Sequence, residues 1–376
     1  MRVKAAVLNN PREPLVVEEV ELDPPQAGEV LVKLKATGIC HSDVSVYTGD
    51  IPVATPLILG HEGAGEIVEV GQGVTRVTPG DHVLLTYLPS CGQCKWCHIG
   101  QPNLCDLGAH LRDGKMLDGT ARHHRAGDGS DINSWLFIST FAEYSVAPEA
   151  SLVVVPKHVP LEKICIFGCG FTTGFATATN KLHIKPGETI TIIGCGGLGL
   201  AAVQGAALSG AGRIVAVDLH EEKLAMARKF GATHTIRNTH DADAVVEEIM
   251  DITHGVGTDY SIEYVGLDQS DETLDIAFRA IRKGGTMCMV GVATEDKRTL
   301  PFDPWTLTIY RKKVIGVLSG DAQFQADIPR FISLYEQGKI NLDDMITTEL
   351  TLEQINTGFE NVLAGNKVAR QVIRYH

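Results

Sequence analysis

Four of the nine cysteines fall within one short stretch, CGQCKWCHIGQPNLC. They are Cys91, Cys94, Cys97 and Cys105. Thiolates two residues apart in a turn can converge on one cation, and four thiolates complete the tetrahedral coordination that Zn²⁺ prefers. Because such a site leaves no ligand position for water, the spacing predicts a structural zinc lobe at about residues 91–105.

The surroundings of this cluster bear on which kind of zinc protein it indicates. A zinc ribbon that binds nucleic acid needs clustered Lys and Arg, which displace counterions from phosphate. Here 33 Lys and Arg stand against 46 Asp and Glu, a net charge of −13. The sequence therefore predicts no nucleic-acid partner. A non-catalytic scaffold built around the zinc lobe stays open as the alternative from a different class of protein.

A glycine-rich turn marks a second kind of chemistry. The β-branched run Thr189–Ile193 leads into it, and the turn is Gly194-Cys195-Gly196-Gly197-Leu198-Gly199. This fits G-x-G-x-x-G, in which the glycines permit the tight turn, the approach of a pyrophosphate and close helix packing. Asp218 ends the next strand, where a carboxylate accepts hydrogen bonds from the adenosine ribose and repels a 2′-phosphate. We therefore expect NAD rather than NADP.

The elements around these motifs indicate two architectures. From about residue 174 to 317, apolar strands alternate with helical segments, which is typical of a doubly wound parallel sheet. Ligands bind at the carboxyl ends of such strands, so Val290 and Val292 are expected near the nicotinamide. Before about residue 170, short β-rich runs between Pro and Gly turns predict a mostly antiparallel, barrel-like domain.

The start of the chain bears on its location. It lacks the apolar run of a secretion signal. The uncharged stretch 190–211 is rich in glycine and contains Gln204, which favours a buried strand and helix over a membrane span. We expect a cytoplasmic protein with no membrane association, in which thiols stay reduced.

The run Arg122-His123-His124-Arg125 resembles a metal site in composition. Adjacent histidines do not readily share one ion, so we interpret the run Arg122–Arg125 as an exposed loop.

Three further segments complete a resemblance to a known family. They are Gly38-Ile39-Cys40-His41-Ser42-Asp43, Gly60-His61-Glu62-Gly63-Ala64-Gly65 and Gly168-Cys169-Gly170-Phe171-Thr172-Thr173-Gly174. With the lobe and the glycine turn, the chain resembles zinc-dependent alcohol dehydrogenases of the medium-chain dehydrogenase/reductase superfamily over nearly its whole length. The resemblance implies a GroES-like catalytic domain over 1–173, a Rossmann NAD-binding domain over 174–317 and a return to the catalytic domain over 318–376.

The resemblance also implies a catalytic zinc held by Cys40, His61 and Cys169. Three protein ligands leave a fourth position for water or substrate, so this ion differs from the lobe zinc, and the expected content is about two zinc ions per subunit. Zinc then acts as a Lewis acid on the alcohol oxygen while a hydride passes to NAD. The family forms homodimers and homotetramers, and we expect one of these.

Supporting roles follow from the same resemblance. Asp43 is expected to fix the tautomer of His61, Glu62 to modulate the metal, and Ser42 to take the proton of the alcohol. Many relatives end the proton relay with a histidine where this chain has Ser45, which does not hold a proton near neutral pH. We therefore expect the relay to end through water or another base, or proton release to be slower.

The remaining expected contacts concern cofactor and substrate. His41 or Arg370 is expected at the pyrophosphate and Lys223 at the ribose, although Lys223 fits a solvated helix lysine nearly as well. Thr173 is a further expected cofactor contact. Tyr87, Trp135 and Leu318 are expected to line the substrate pocket, with core packing an equal interpretation of Trp135.

Together these features predict reversible oxidation of a primary or aromatic alcohol to its aldehyde with NAD. One alternative is a formaldehyde–thiol adduct dehydrogenase. Another is a relative that keeps its nicotinamide bound and passes electrons to a different acceptor. The segments DLGA and DGTARHH resemble such bacterial subgroups.

Overall fold

The chain divides into two units, Met1–Gly170 with Ala322–His376 and Phe171–Asp321. The computed structural model describes residues 1–266, 270–294, 297, 299–365 and 369–375, with the side chain of Ser270 excepted. Each unit contains its own sheets, and the two are described separately below.

Ten strands lie in the part of the first unit before Gly170, and their buried positions follow the expected apolar runs. The strands are β1 (Arg2–Leu8), β2 (Val16–Leu22), β3 (Glu29–Ile39), β4 (Leu57–Ile58), β5 (Gly63–Val70), β6 (His82–Leu85), β7 (His123–Arg125), β8 (Asp131–Ser134), β9 (Tyr144–Pro148) and β10 (Leu152–Val155). Five of them close a barrel in the order β1-β2-β7-β8-β4. The predicted barrel-like, mostly antiparallel domain is confirmed.

The second unit contains a six-stranded parallel sheet. Its strands are β11 (Thr189–Ile193), β12 (Arg213–Asp218), β13 (His234–Arg237), β14 (Thr258–Glu263), β15 (Ile281–Met289) and β16 (Lys313–Gly316). Their order is β13-β12-β11-β14-β15-β16, and every pairing is parallel. The order reverses direction at β11, as in a doubly wound fold, so the predicted Rossmann class is also confirmed.

The last part of the chain returns to the first unit. It adds β17 (Ile346–Leu350) and β18 (Arg370–Arg374), giving the order β10-β6-β5-β3-β18-β17, with β9 also paired to β3. β18 pairs antiparallel with β3, and Gln371 lies opposite Ile39. This register brings Arg370, at the start of the final strand, beside the loop that follows β3.

Helices connect the strands in both units. They are α1 (His41–Thr48), α2 (Lys95–His98), α3 (Leu161–Ile164), α4 (Gly170–Ala176), α5 (Gly197–Leu208), α6 (Glu221–Lys229), α7 (Ala242–Ile252), α8 (Ser270–Ala280), α9 (Pro304–Ile309), α10 (Phe324–Glu336) and α11 (Ile355–Leu363). Over the part of the chain that the structure describes, no helix combines the length and apolar character needed to cross a membrane.

The run Arg122–Arg125 is not the exposed loop that we expected. His123–Arg125 forms β7, which pairs with β2 and β8 in the barrel wall. The Arg122 side chain is only 3% exposed and donates from Nε and Nη2 to the two carboxylate oxygens of Glu29, each at 2.8 Å. The bidentate pair compensates the burial of both charges. The local sequence Arg-His-His-Arg does not reveal this partner, which lies 93 positions earlier in the chain.

This buried pair should contribute strongly to stability. Substituting Arg122→Met leaves the Glu29 carboxylate, in a residue 5% exposed, without its guanidinium, and we expect the free energy of unfolding to fall by about 3–5 kcal/mol. Denaturant unfolding followed by circular dichroism measures the change. As a control, Arg125→Met breaks a half-buried pair with Glu18 and should cost about 1 kcal/mol or less. Equal losses for both variants would contradict this interpretation.

His123 should make stability fall in mild acid. Burial, with a contribution from His124, lowers the pKa of His123 to about 4, from an ordinary value of about 6.5. The unfolded chain therefore binds a proton below about pH 6.5 that the native chain refuses until about pH 4. Stability is lost as the pH falls through this window, by about 2 kcal/mol between pH 7 and pH 5.

Replacing the imidazole tests this assignment. In His123→Phe the difference in unfolding free energy between pH 7 and pH 5 should shrink by about that 2 kcal/mol. The exposed His110 serves as the control, and His110→Phe should keep the wild-type difference. An unchanged pH dependence in His123→Phe would show that other groups cause the acid sensitivity.

Candidate functional site

Three separate segments of the first unit bring four buried ligand residues together. Cys40 follows β3, His61 and Glu62 lie between β4 and β5, and Cys169 follows a 3₁₀ turn at Cys165–Gly168. One donor atom from each residue lies within 4.8 Å of the donor atoms of the other three. Two thiols, an imidazole and a carboxylate in one buried cluster form a donor set that suits Zn²⁺. We call these four residues the buried cluster.

Asp43 orients the histidine of this cluster. Its Oδ1 lies 2.8 Å from His61 Nδ1 and also accepts from the Gly60 backbone N–H at 3.1 Å. Its Oδ2 accepts from the Cys40 backbone N–H at 3.2 Å. Because the carboxylate accepts the Nδ1 hydrogen, it leaves Nε2 as the ligand atom. Burial lowers the pKa of His61, but the Asp43 carboxylate outweighs it and holds this pKa well above its ordinary value.

The two thiols of the cluster share their protons unequally. The hydrogen bond from Cys169 is the largest cause that lowers the pKa of Cys40, and the same contact, with burial, raises the pKa of Cys169. The Cys40 thiolate is therefore stabilised by the thiol of Cys169, which keeps its proton. A cation would stabilise both thiolates, which is the form that binds metal.

Glu62 is fully buried and is held on both oxygens. Oε1 accepts from the Gly170 backbone N–H at 2.8 Å, and Oε2 accepts from Nη2 of Arg370. Burial raises the pKa of Glu62 to about 7, although the Arg370 guanidinium opposes this effect. At Gly38 a Cβ would lie 2.0 Å from Glu62 Oε2, so only glycine fits beside this carboxylate.

The pairing of Glu62 with Arg370 was not foreseen from the sequence. The two residues lie 308 positions apart, and only the register of β18 on β3 brings them together. Arg370 is 4% exposed and lies at the buried cluster, whereas we expected it at the pyrophosphate. That cofactor contact stays a prediction. The one sequence signal for this pair is that Glu62 directly follows the expected metal ligand His61, because a carboxylate buried there needs a positively charged partner.

The two serines of α1 differ in their surroundings. Ser42 Oγ lies 3.9 Å from Cys40 Sγ, next to the buried cluster. Ser45 is 5% exposed, and its hydroxyl donates to the His41 carbonyl at 3.1 Å. The hydroxyl of Ser45 is thus bound to the backbone of its own helix.

The four lobe cysteines converge as their spacing predicts. Their sulfur atoms lie within 4.8 Å of one another, with Cys91–Cys97 and Cys94–Cys105 each at 3.9 Å. A tetrahedron with Zn–S bonds of about 2.3 Å has sulfur–sulfur edges of about 3.8 Å, close to these distances. Backbone N–H groups of Gln93 and Cys94 donate to Cys91 Sγ, each at 3.3 Å.

The glycine turn joins β11 to α5 in the second unit. Gly194 has φ +88°, a left-handed conformation that favours glycine. A Cβ at Gly199 would lie 1.9 Å from the Gly194 carbonyl oxygen, whereas one at Gly196 would have no described atom within 4 Å. The turn is thus closely packed at its ends and open at its centre. Gly197 and Leu198 begin α5.

Asp218 lies beside this turn. Its Oδ2 accepts from the Cys195 backbone N–H at 2.7 Å, and its Oδ1 accepts from the His220 backbone N–H at 3.0 Å. The carboxylate is therefore fixed at the carboxyl end of β12, next to the centre of the glycine turn. Lys223 lies on α6, two residues into that helix.

The other predicted residues have varied environments. Tyr87 stacks edge-on against His61, with 5.7 Å between ring centroids. Trp135 is 3% exposed in the apolar core of the first unit, which agrees with core packing. The rest are placed as follows: His41 is exposed, Thr173 and Val290 are buried, Val292 is 61% exposed, and Leu318 is 43% exposed.

Comparisons with known proteins agree with this arrangement. Two family models match the chain, an alcohol dehydrogenase GroES-like domain over residues 26–157 and a zinc-binding dehydrogenase over residues 197–337. The chain is 40% identical over 368 residues to the NDMA-dependent alcohol dehydrogenase of Amycolatopsis methanolica, covering 98% of each. It is also 40% identical over 385 residues to the S-(hydroxymethyl)glutathione dehydrogenase of Paracoccus denitrificans, covering 100% of each.

A solved structure extends the likeness to three dimensions. The benzyl alcohol dehydrogenase from Acinetobacter calcoaceticus matches with a TM-score of 0.92 and 31% identity, and the match covers 100% of both chains.

The hydrogen bond from His61 to Asp43 should tune the affinity of the buried cluster for a cation. In Asp43→Asn the side chain keeps its shape but loses the charge that holds the imidazole, and we expect cation affinity to fall about 10–100-fold. Competition with a chromogenic chelator measures this. Asp50→Asn, which alters a carboxylate bonded to Thr48 at the other end of α1, should leave the affinity unchanged. Equal affinities for Asp43→Asn and the wild type would refute the orienting role.

Proposed function

The chain belongs to the zinc-dependent alcohol dehydrogenases of the medium-chain dehydrogenase/reductase superfamily, and we propose that it transfers hydride reversibly between a primary or aromatic alcohol and NAD. The product of oxidation is the aldehyde. The observation that carries this proposal is the buried cluster, where two thiols and one imidazole meet next to a hydroxyl, that of Ser42.

Cys40, His61 and Cys169 would hold a catalytic Zn²⁺. When bound, this ion supplies Lewis acidity to the alcohol or carbonyl oxygen. Asp43 holds the His61 ring so that Nε2 faces the other ligands. Glu62 adds a carboxylate to the same cluster and is paired with Arg370. Its negative charge would therefore interact with both the metal ion and the guanidinium.

Ser42 is the residue that we assign to receive the proton of the alcohol. Its hydroxyl can accept one hydrogen bond while donating another, as a relay requires. Ser45 does not continue the relay in this geometry, because its hydroxyl donates to the His41 carbonyl. We propose that the proton leaves Ser42 through water.

The second unit would bind NAD. The open centre of the glycine turn and the N-terminus of α5 suit a pyrophosphate, because the first N–H groups of a helix lack partners within the helix and the helix dipole is positive at this end. The fixed carboxylate of Asp218 suits the ribose hydroxyls and disfavours a 2′-phosphate. We therefore propose NAD as the cofactor and a second zinc ion, held by the lobe cysteines, with a structural role.

A second candidate function is favoured by the relatives themselves. One relative is named as NDMA-dependent and another as an S-(hydroxymethyl)glutathione dehydrogenase, at the same 40% identity. The chain could therefore oxidise a formaldehyde–thiol adduct, or retain its nicotinamide and pass electrons to another acceptor. Release of NADH on denaturation of the purified protein distinguishes the retained-cofactor case. A requirement for a thiol in formaldehyde oxidation distinguishes the adduct case.

We also propose a homodimer or homotetramer. On α9 the side chains of Trp305 and Ile309 are 72% and 54% exposed, and they lie shortly before β16, the last strand in the order of the parallel sheet. Exposed apolar side chains of this size are the kind of surface that a second copy covers.

The proposal predicts a coupled result in metal content and activity. The wild type should contain about two zinc ions per chain and oxidise primary or aromatic alcohols with a higher kcat/KM for NAD than for NADP. Cys169→Ala should lose about one zinc ion and alcohol oxidation, because only two of the three ligands remain. Metal analysis and initial rates with a panel of alcohols measure both.

The lobe supplies the matched control for this experiment. Cys97→Ala should also lose about one zinc ion, but the loss should appear as a lower unfolding temperature, with the buried cluster intact. A clear preference for NADP would refute the assignment of Asp218. Full activity in Cys169→Ala would refute the metal centre.

A further inference from the structure

Glu263 carries a fully buried carboxyl group that no role described so far uses. It ends β14, a central strand of the parallel sheet, and is 0% exposed. Its Oε1 accepts three hydrogen bonds, from the backbone N–H groups of Val265 and Gly266 at 2.7 and 3.0 Å and from the Thr273 hydroxyl at 3.0 Å. One oxygen thus ties the turn after β14 to the first part of α8.

The same residue also contacts the end of the next strand. Its backbone carbonyl accepts from the N–H groups of Val290 and Gly291, at 3.1 and 3.0 Å. Its Oε2 lies against Gly291, where a Cβ would approach to 2.6 Å. Among the described residues this oxygen has no hydrogen-bond partner. Glu263 therefore fixes two turns, one after β14 and one after β15.

These two turns also touch each other. Gly266 has φ +66°, and a Cβ there would lie 2.7 Å from the Val292 backbone nitrogen and 2.8 Å from the Val292 carbonyl oxygen. The turn that Glu263 holds is therefore in backbone contact with Val292. At Gly266 the two backbones are too close for a side chain to lie between them. A shift of the turn after loss of the Glu263 contacts would therefore also move the backbone of Val292.

We infer that Glu263 is a positioning residue for the nicotinamide end of the cofactor, acting by holding the turn at residues 264–266 against the backbone of Val292. The inference rests on the proposed use of NAD, since Val290 and Val292 are the residues expected near the nicotinamide. Both turns lie at the carboxyl ends of central strands, where doubly wound sheets bind their ligands.

The chemistry of the side chain indicates which substitutions preserve this role. Burial raises the pKa of Glu263, although the three hydrogen bonds to Oε1 oppose the shift. A neutral amide presents the same acceptor oxygen with nearly the same volume. We therefore expect Gln to replace Glu at this position and Ala to fail, because Ala leaves two backbone N–H groups and one hydroxyl without their acceptor.

The test compares NADH binding across matched variants. Fluorescence titration should give a dissociation constant for NADH about tenfold or more higher in Glu263→Ala, and within about threefold of the wild type in Glu263→Gln. In steady-state assays the KM for NAD should rise more than kcat falls. Should Glu263→Ala not fold, Thr273→Val removes one of the three donors and should raise the dissociation constant by a smaller factor.

The control lies at the opposite end of the same strand. Asp259 accepts from the Thr189 backbone N–H and hydroxyl at 2.7 and 2.8 Å and from Arg282 Nε at 2.7 Å. Asp259→Ala therefore removes a comparable set of hydrogen bonds far from the carboxyl end of β14. It should lower the unfolding temperature and leave the dissociation constant for NADH within about threefold of the wild type.

The outcomes separate this inference from the proposal on which it rests. Equal weakening of NADH binding in Glu263→Ala and Asp259→Ala would mean a merely structural role and overturn the inference. Unchanged binding in both Glu263→Ala and Thr273→Val would overturn it as well, while NAD use stands. A wild-type chain that binds neither NADH nor NADPH would overturn the proposed function and this inference together.

Discussion

The balance of charge in the buried cluster is the constraint on which the catalytic half depends. Two thiols, the Glu62 carboxyl and the Asp43 carboxyl lie close together as buried groups, and the Arg370 guanidinium adds a permanent positive charge among them. Uncompensated charges are costly at such depth, so protons must neutralise part of the set when no metal is bound. The raised pKa values of Glu62 and Cys169 express this cost. A dication would remove this cost, as expected of a candidate metal site.

The sheet order explains how such a costly arrangement forms. β3 is the central strand of its sheet, paired with β5, β9 and β18, and the chain leaves it at Cys40. β5 begins just after Glu62, and β18 begins at Arg370. β5 and β18 both run antiparallel to β3, so the end of β3 and the starts of β5 and β18 lie at the same end of the sheet. The thiol, the carboxylate and the guanidinium are therefore close together there. The pairing of these strands thus contributes to holding the charged groups close to one another.

Sequence patterns predicted the features whose determinants lie close in the chain. The lobe cysteines and the glycine turn are local, and periodicity alone distinguished the barrel from the parallel sheet. The union of Cys40, His61 and Cys169 required the family resemblance, because no local pattern connects them. The pairs Glu62–Arg370 and Arg122–Glu29 could not be foreseen, since the first depends on the register of β18 on β3 and the second joins β3 to the residue before β7, a strand of a different sheet. Glu263 was overlooked because a single carboxylate after an apolar strand has no pattern of its own.

The two candidate metal sites differ in what an ion would stabilise. In the lobe all four sulfurs come from residues 91–105, backbone hydrogen bonds lower the pKa of Cys94 to about 6, and burial raises the pKa of Cys105 to about 12. An ion there would order one loop. In the buried cluster the ligands come from three separate segments, and Cys169 lies more than a hundred positions after His61. An ion there would offset the cost of burying several negative groups together, and three protein ligands would leave one position for a substrate. The proposed division between a structural ion in the lobe and a catalytic ion in the buried cluster thus rests on the number of protein ligands that each site supplies.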